Sequence, residues 1–469
     1  MNPVDMSRIK NIHLIGIGGV GMSAIAKILF QMGYKVTGSD IKESSNTIRL
    51  KGWGIQVYLG HRESQIRGSD LVVYSSAIPK DNVELIEAEG RQIPIWQRAE
   101  MLAWIMNKFE VPIGISGTHG KTTTTSMISL ILDRYNLDPT FLIGGEANDV
   151  DGNAKLGQGK YVVAEADESD GSFLRLKPKI AVVTNIEGDH LDFFGNLEKV
   201  IEIFVEYVRG VPPDGAVIVC SDQAGNKDLL KRLGQEKKII TYGLGEEARL
   251  RATNIKFDKG NSEFEVILNG TNLGEVKLSI PGMQNILNSL AALAVGLEVG
   301  LDFVVMSTIL SSFKSVKRRF QLIGRMDNIM IVDDYAHHPT EVKATLEAAK
   351  RGWPEARIVS VFQPHRYTRT LYLHEEFGSA FAEADIVVLT DVYSAGEEKI
   401  SGISGKTIAE AVERIGGREV IYIPKKEKIA DYLIKILKPG DMVITAGAGD
   451  IYTVAKELLT RLKQKPDAS

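Results

Sequence analysis

The feature that most constrains the fold is a recurring alternation. Short β-branched apolar runs stand between longer stretches with helical spacing: Ile12–Ile15, Leu71–Tyr74, Tyr161–Ala164, Ile180–Thr184, Ile329–Val332, Arg357–Phe362, Ile386–Thr390 and Met442–Thr445. Runs this short and this apolar fit strands covered on both faces, hence parallel α/β sheets. Nearly every run ends in small, polar or charged residues. Ligands of such sheets bind beyond the carboxyl ends of the strands, so function is to be sought just after each run. One stretch departs from the pattern. Ala248–Leu278 alternates and holds the turn signals Asp258–Gly260 and Asn269–Gly270, which predict a few antiparallel strands.

A chain of 469 residues leads one to expect roughly three domains. Apolar residues at 44% and charged residues at 25% supply ample core, and the net charge of −4 gives no basic field to draw nucleic acid. The lone cysteine, Cys220, excludes an intrachain disulfide and a cysteine-rich metal site; it closes an apolar run and reads as a buried strand thiol. The polar opening and the lack of a membrane-length apolar run predict a soluble, cytoplasmic protein without membrane or nucleic-acid partners. A monomer or weak homodimer is expected, although nothing in the sequence fixes the oligomeric state.

Behind the first run stands Gly16-Ile17-Gly18-Gly19-Val20-Gly21, followed by a helical stretch Met22–Met32. This spacing between strand and helix suits a pyrophosphate: the glycines allow close backbone approach and the helix N-terminus faces the anion. Asp40, after the second strand, has the position of an acid that takes a ribose hydroxyl. Alone, this describes a dinucleotide-dependent dehydrogenase as well as any other nucleoside-diphosphate binder. Ser75, Ser76 and Ala77 add hydroxyl and backbone donors on the same sheet edge.

Gly117-Thr118-His119-Gly120-Lys121-Thr122-Thr123 follows another strand and precedes a helix expected over Ser126–Leu132. Gly120-Lys121-Thr122 is the core of a P-loop, in which backbone amides cradle phosphates, the lysine reaches the outer phosphates and the hydroxyl takes Mg²⁺. The usual first glycine is replaced by Ile115, so the loop is a shortened variant. Two strand ends complete a metal–triphosphate signature: the acidic Glu165, Asp167, Glu168 and Asp170, and the Asn185–His190 segment. Clustered carboxylates are costly without a cation, and their oxygens suit Mg²⁺. A redox enzyme has no need of such a centre. Further on, Asp333–Pro339 and Gln363–Arg369 end two strands. Arg366 and Arg369 can clamp a carboxylate or phosphate, while His337 and His338 are adjacent and diverge in regular structure, which argues against zinc.

Taken together the chain resembles the Mur ligase family over essentially its whole length. The motifs that carry the resemblance are GIGGVGMS (Gly16–Ser23), SSAI (Ser75–Ile78), GTHGKTTT (Gly117–Thr124), EADESDGSF (Glu165–Phe173), TNIEGDHLD (Thr184–Asp192), NILN (Asn285–Asn288), KRRF (Lys317–Phe320), DDYAHHPTE (Asp333–Glu341) and QPHRYTRT (Gln363–Thr370). The resemblance implies three domains: a Rossmann-like UDP-sugar domain (1–108), a central P-loop ATPase domain (109–320) and a C-terminal Rossmann-like domain (321–469) closing on ATP and amino acid. It places Gly18, Gly19, Val20, Gly21, Asp40, His61, Ser75, Ser76 and Ala77 at the UDP-sugar. It places Gly117, Thr118, His119, Gly120, Lys121, Thr122, Thr123, Asn285, Asn288, Arg319 and Asp334 at ATP. Thr122, Glu165 and His190 would hold Mg²⁺. Tyr335, His337, His338, Arg366 and Arg369 would shape the pocket of the amino acid.

Of these motifs GIGGVGMS, DDYAHHPTE and QPHRYTRT are the most specific, and the resemblance they carry implies ATP-dependent ligation of L-alanine to the lactyl carboxylate of UDP-N-acetylmuramate through an acyl phosphate, as a step of peptidoglycan precursor synthesis. Lys121, Glu165, His190 and Arg319 would be catalytic, with His337 or His338 as candidates for taking the amine proton. Several siblings carry a carbamylated lysine in the region here spanning Ile203–Val208. This chain has Glu202 and Glu206 nearby but no lysine there, and Lys199 comes too early, so none is expected. The alternatives are a sibling ligase adding another amino acid or a peptide, a dehydrogenase, and a non-enzymatic nucleotide switch.

Overall fold

The computed structural model describes residues 4–147, 152–189, 191–234 and 237–464. The first of its three sheets comprises β1 (Asn11–Ile15), β2 (Lys35–Asp40), β3 (Gln56–Leu59), β4 (Leu71–Tyr74) and β5 (Ile95–Gln97), all parallel, in the order β3-β2-β1-β4-β5. The second has ten strands: β6 (Val111–Ser116), β7 (Thr140–Ala147), β8 (Gly152–Lys155), β9 (Tyr161–Glu165), β10 (Ile180–Val183), β11 (Ala216–Cys220), β12 (Lys238–Gly243), β13 (Leu250–Asp258), β14 (Asn261–Leu268) and β15 (Thr271–Leu278). Their order is β15-β14-β13-β12-β11-β10-β6-β9-β7-β8. The third contains β16 (Gln321–Met326), β17 (Ile329–Asp334), β18 (Arg357–Phe362), β19 (Ile386–Leu389), β20 (Glu419–Tyr422) and β21 (Asp441–Ala446). Its order is β16-β17-β21-β18-β19-β20, with only the edge strand β16 antiparallel.

The predicted α/β class with parallel sheets is the one observed. Every residue of β6, β10, β11 and β21 is buried, because helices cover both faces and leave no wet side for alternation. The chain divides into two compact units, Met1–Arg251 with Val266–Leu273 and Leu287–Leu310, and Ala252–Glu265 with Gly274–Ile286 and Ser311–Ser469. No helix among the described residues is long and apolar enough to cross a membrane.

The alternating stretch forms β13, β14 and β15, joined by two-residue turns, which compel antiparallel neighbours. Lys259 and Gly260 (φ 44° and 90°) and Asn269 and Gly270 (φ 47° and 85°) all take the left-handed region. That backbone twist matches a hairpin. The helix after the P-loop runs Lys121–Arg134, starting well before the expected Ser126. Four consecutive threonines lower helix propensity. Their burial, from Thr122 to Thr125, overrides it. The hairpin strands β7 and β8 were not read from the sequence, since the glycine pair inside β7 resembles a loop.

Cys220 lies inside β11 at 1% exposure, and burial pushes its thiol up to about 12. A thiol-specific reagent is therefore expected to label the native protein negligibly at pH 8 and to label it fully in denaturant. Stoichiometric labelling of native protein would contradict a closed second sheet.

Candidate active site

The glycine turn leaves β1 at the middle of the first sheet. Gly16 takes φ 78°, and a Cβ there would press on Ser75 and Ile78 at 3.3 Å, so the turn lies against the residues that follow β4. The Gly18 amide donates to Asp40 Oδ2 at 2.8 Å, and Asn46 Nδ2 donates to the Gly18 carbonyl at 2.9 Å. Asp40 thus holds the turn's shape as well as standing at its rim. Gly19 caps the helix Val20–Gln31, whose first turn carries Val20 and Gly21. Ser75 is partly exposed, and Ser76 and Ala77 are exposed, at the same edge.

Beneath this edge is a polar cluster that sequence reasoning missed. Glu84 is fully buried, yet its Oε2 accepts from Ser39 Oγ at 2.6 Å and pairs with His61 Nδ1 at 2.8 Å. Its Oε1 lies 3.4 Å from Nε2 of the equally buried His13. Burial pushes the Glu84 carboxyl up, but the bonds from His13, Ser39 and His61 together outweigh it and hold the group below the ordinary range. The contacts with Glu84 fix the ring plane of His61. A group lowered in the folded state contributes stability above its unfolded value, about 4.3, and loses it as pH falls through the folded value. Glu84→Gln is thus expected to cost about 2 kcal/mol at pH 7. The gap from the parent should narrow below pH 4. Denaturant midpoints across pH would show it, and a pH-independent gap would refute an ionised Glu84.

The P-loop leaves β6, whose neighbours are β9 and β10. Both neighbours deliver side chains to it. After β10, Thr184 Oγ1 donates to the His119 carbonyl at 2.6 Å, and Asn185 Oδ1 accepts from the His119 amide at 2.8 Å. Asn185 also accepts the Thr118 amide through its carbonyl, and Thr118 Oγ1 takes the Glu187 amide at 3.0 Å. Gly117 and Gly120 have φ of 132° and 83°. A Cβ at Gly120 would sit 2.5 Å from Asn288 Oδ1, and that same oxygen accepts from Thr124 Oγ1 at 3.2 Å. Asn288 is therefore packed on the loop. Asn285 Nδ2 donates to the Pro281 carbonyl at 2.7 Å.

After β9, Glu168 is buried at 3% exposure and accepts from Lys121 Nζ at 2.8 and 3.0 Å; Lys121 also donates to the Gly117 carbonyl. Burial disfavours the ammonium, but the charges of Glu168, Asp167 and Glu165 prevail and raise its pKa. Of the acidic run, read as a dense carboxylate patch suited to Mg²⁺, Glu165, Asp167 and Asp170 are partly exposed, and the buried member, Glu168, is paired with the lysine. Thr122 Oγ1 donates to Glu165 Oε2 at 3.2 Å, and Glu165 Oε1 accepts the Gly144 amide. A hydroxyl and a carboxylate side by side at a P-loop helix form the hard-oxygen set that Mg²⁺ takes. Thr123, behind Thr122, is buried. His190 lies outside the described residues.

In the second unit, the carboxyl end of β17 presents Asp333 and Asp334. Burial raises the Asp334 carboxyl to about 6, although Arg319 and the amides of Phe320 and Ala336 pull the other way. The Arg319 guanidinium lies over the Tyr335 ring, 5.2 Å from its centroid, and pairs with Glu341 at 3.5 Å. His338 caps the helix Pro339–Gly352 through Nδ1, which accepts from the Thr340 amide. His337 Nδ1 faces the Tyr335 carbonyl at 2.9 Å and Glu341 Oε2 at 3.1 Å, both acceptors. These contacts place the proton on Nδ1. The loop after β18 turns at Arg366 (φ 70°), which opens the helix Tyr367–Ala380, and Arg369 Nη1 lies 3.2 Å from His365 Nδ1. The His365 ring stacks on Tyr393 at 5.7 Å.

Comparison with known proteins gives a consistent picture. Residues 11–110 match the model "Mur ligase family, catalytic domain", residues 115–296 the "Mur ligase middle domain", and residues 318–449 the "Mur ligase, glutamate ligase domain". A UDP-N-acetylmuramate–L-alanine ligase of Pelotomaculum thermopropionicum is 48% identical over 98% of this chain and 99% of its own length. One from Geotalea daltonii is 48% identical at the same coverage. Among solved structures, a UDP-N-acetylmuramate–alanine ligase of Thermotoga maritima superposes with TM-score 0.83 at 30% identity, covering 98% of this chain and 100% of that one. A murein peptide ligase of Psychrobacter arcticus gives TM-score 0.71 at 25% identity, over 97% and 98%.

Proposed function

The chain belongs to the Mur ligase family, and from that premise we infer that it joins L-alanine to UDP-N-acetylmuramate with cleavage of ATP to ADP and phosphate. The observation that carries the reading is similarity at full length to alanine-adding members, spanning all three strand-end clusters. The reaction belongs to peptidoglycan precursor synthesis and is assigned to the cytoplasm, with the domain limits 1–108, 109–320 and 321–469.

A carboxylate is a poor acyl donor until one of its oxygens becomes a leaving group. In the reaction proposed, the lactyl carboxylate attacks the γ-phosphate, giving an acyl phosphate and ADP; the alanine amine then attacks the acyl carbon and phosphate departs. Two anions meet in the first step, so positive charge dominates catalysis. Lys121 supplies it on exchanging Glu168 for phosphate oxygens, and Arg319 supplies it at the γ-phosphate. Thr122, Glu165 and His190 would hold Mg²⁺, which neutralises phosphate charge when bound. Gly18, Gly19, Val20 and Gly21 cradle the UDP pyrophosphate, with Asp40, His61, Ser75, Ser76 and Ala77 around the nucleotide. Asn285, Asn288 and Asp334 bind the adenosine part of ATP. Arg366 and Arg369 take the alanine carboxylate beside Tyr335, and the amine proton goes to His337 or His338. For His337 the contacts of Nδ1 leave that role to Nε2.

Phosphate release from ATP and Mg²⁺, measured with each organic substrate singly and together, tests the assignment. Release only with both, and a mass gain in the UDP product equal to alanine minus water, is the expected result. Turnover with a tripeptide or another amino acid instead would keep the family and change the member. No release in any combination would overturn the reading.

A further inference from the structure

A cation stands beside the glycine turn that no phosphate-loop motif requires. The register of β4 with β5 pairs Tyr74 with Gln97, so Arg98 occupies the same level beyond its strand as Ser75 does beyond the neighbouring one. A capping box fixes this point: the Gln97 amide donates to Glu100 Oε2 at 2.7 Å, which holds Arg98 in the first turn of the helix Arg98–Met106. The Arg98 side chain is 19% exposed and runs along Gly21. A Cβ at Gly21 would lie 3.3 Å from Nη1 and 3.4 Å from Cδ. The last glycine of such turns ordinarily allows a helix to pack closely on a strand. Here the atoms it makes room for belong to a guanidinium. The other end of that guanidinium donates from Nη2 to Asp167 Oδ2 at 3.0 Å, and Asp167 is the residue next to Glu168, the partner of the P-loop lysine. Arg98 thus spans the gap between the glycine turn and the acidic loop, within a single compact unit.

We propose that Arg98 is a substrate-binding residue for the nucleotide sugar, releasing Asp167 and taking an oxyanion of that substrate in its place. The proposal rests on the UDP-sugar reading given above. The exchange is favourable on general grounds. Asp167 is 40% exposed, and a partly solvated ion pair contributes little. A planar fork of donors on a phosphate or carboxylate forms two charge-assisted bonds at once. The oxyanion is either the pyrophosphate, which the seat on Gly21 favours, or the lactyl carboxylate on its way to the P-loop.

The test is calorimetric binding of UDP, UDP-N-acetylglucosamine and UDP-N-acetylmuramate to the full-length parent, R98Q, R98K and D167N. R98Q is expected to weaken binding about 10- to 100-fold, R98K less, while affinity for ATP stays at the parent value and so reports an intact fold. Weakening of all three ligands assigns Arg98 to the pyrophosphate; weakening of UDP-N-acetylmuramate alone assigns it to the carboxylate. D167N is expected to bind at least as tightly as the parent, because it removes the competing anion. If R98Q binds all three like the parent, or if D167N weakens them as much as R98Q does, Arg98 is only half of a structural bridge and the proposal falls. If the parent binds none of the three, the UDP-sugar reading falls with it.

Discussion

Lys121→Met is expected to lower the rate of ligation by about a thousandfold or more, the scale on which a cation at a transferring phosphoryl group acts. It is also expected to lower stability by about 3 kcal/mol, and the two losses have separate origins. The first arises because the attacking carboxylate and the γ-phosphate repel, and Lys121 is the P-loop cation proposed to offset that repulsion. The second arises because Glu168, at 3% exposure and with its carboxyl already raised by burial, would lose the ammonium that pairs with both its oxygens and either stay charged without a partner or take up a proton, each at a cost. The origins separate in a double variant. Lys121→Met with Glu168→Gln should regain most of the denaturant midpoint and none of the single-turnover rate. If the single variant unfolds at the same midpoint as the parent, the pair is not what stabilises this loop. If the double variant regains activity, Lys121 does not act on phosphate.

Gly117→Ala is expected to be as damaging with no change of charge at all. Gly117 sits at φ 132°, and a Cβ would lie 2.1 Å from Thr184 Oγ1 and 2.9 Å from both the amide nitrogen and the carbonyl oxygen of Asn185. A hydroxyl can rotate away; two backbone atoms of an adjoining strand end cannot. Strain and overpacking of this kind cost about 3–5 kcal/mol together. The loop that gives way carries the phosphate-binding amides. Nucleotide titration should show ATP affinity reduced by at least a hundredfold at temperatures where the rest of the protein remains folded. Adding Thr184→Ala should restore little, since the Asn185 backbone remains. A Gly117→Ala protein that binds ATP like the parent would show that the loop has another accessible shape.

The parallel sheets were legible because their strands are buried on both faces, which makes β10 and β11 readable as uninterrupted apolar runs. The P-loop was legible because its lysine, threonine and glycines are contiguous. What escaped was either dispersed or disguised. Nothing in the neighbourhood of Arg98 announces a partner, since Asp167 is supplied by another strand end far along the chain. Glu84 looks like a surface residue of a short helix, and only folding brings His13 and His61 to it. The helix start at Lys121 was hidden by β-branched residues whose low propensity is outweighed by burial. The histidine cap on Pro339–Gly352 could have been found. His338 followed three residues later by Glu341, with proline at the first helical position, is a capping pattern with an unusual first member.

The shortened P-loop has one more consequence. Its Thr118 and His119 amides are already donated, to the carbonyl and the side chain of Asn185. The amides of Gly120 to Thr123 belong to a helix start, where no preceding carbonyl of the same helix exists to receive them; the first intrahelical bond runs from the Thr124 amide to the Gly120 carbonyl. The loop is therefore divided along its length into a scaffold half, which is saturated by its neighbour, and a receptor half, which is left for oxyanions. Asn185 governs the curvature of the receptor without facing the anion, so exchanges at that position should act on how well every phosphate ligand fits rather than on which one is preferred.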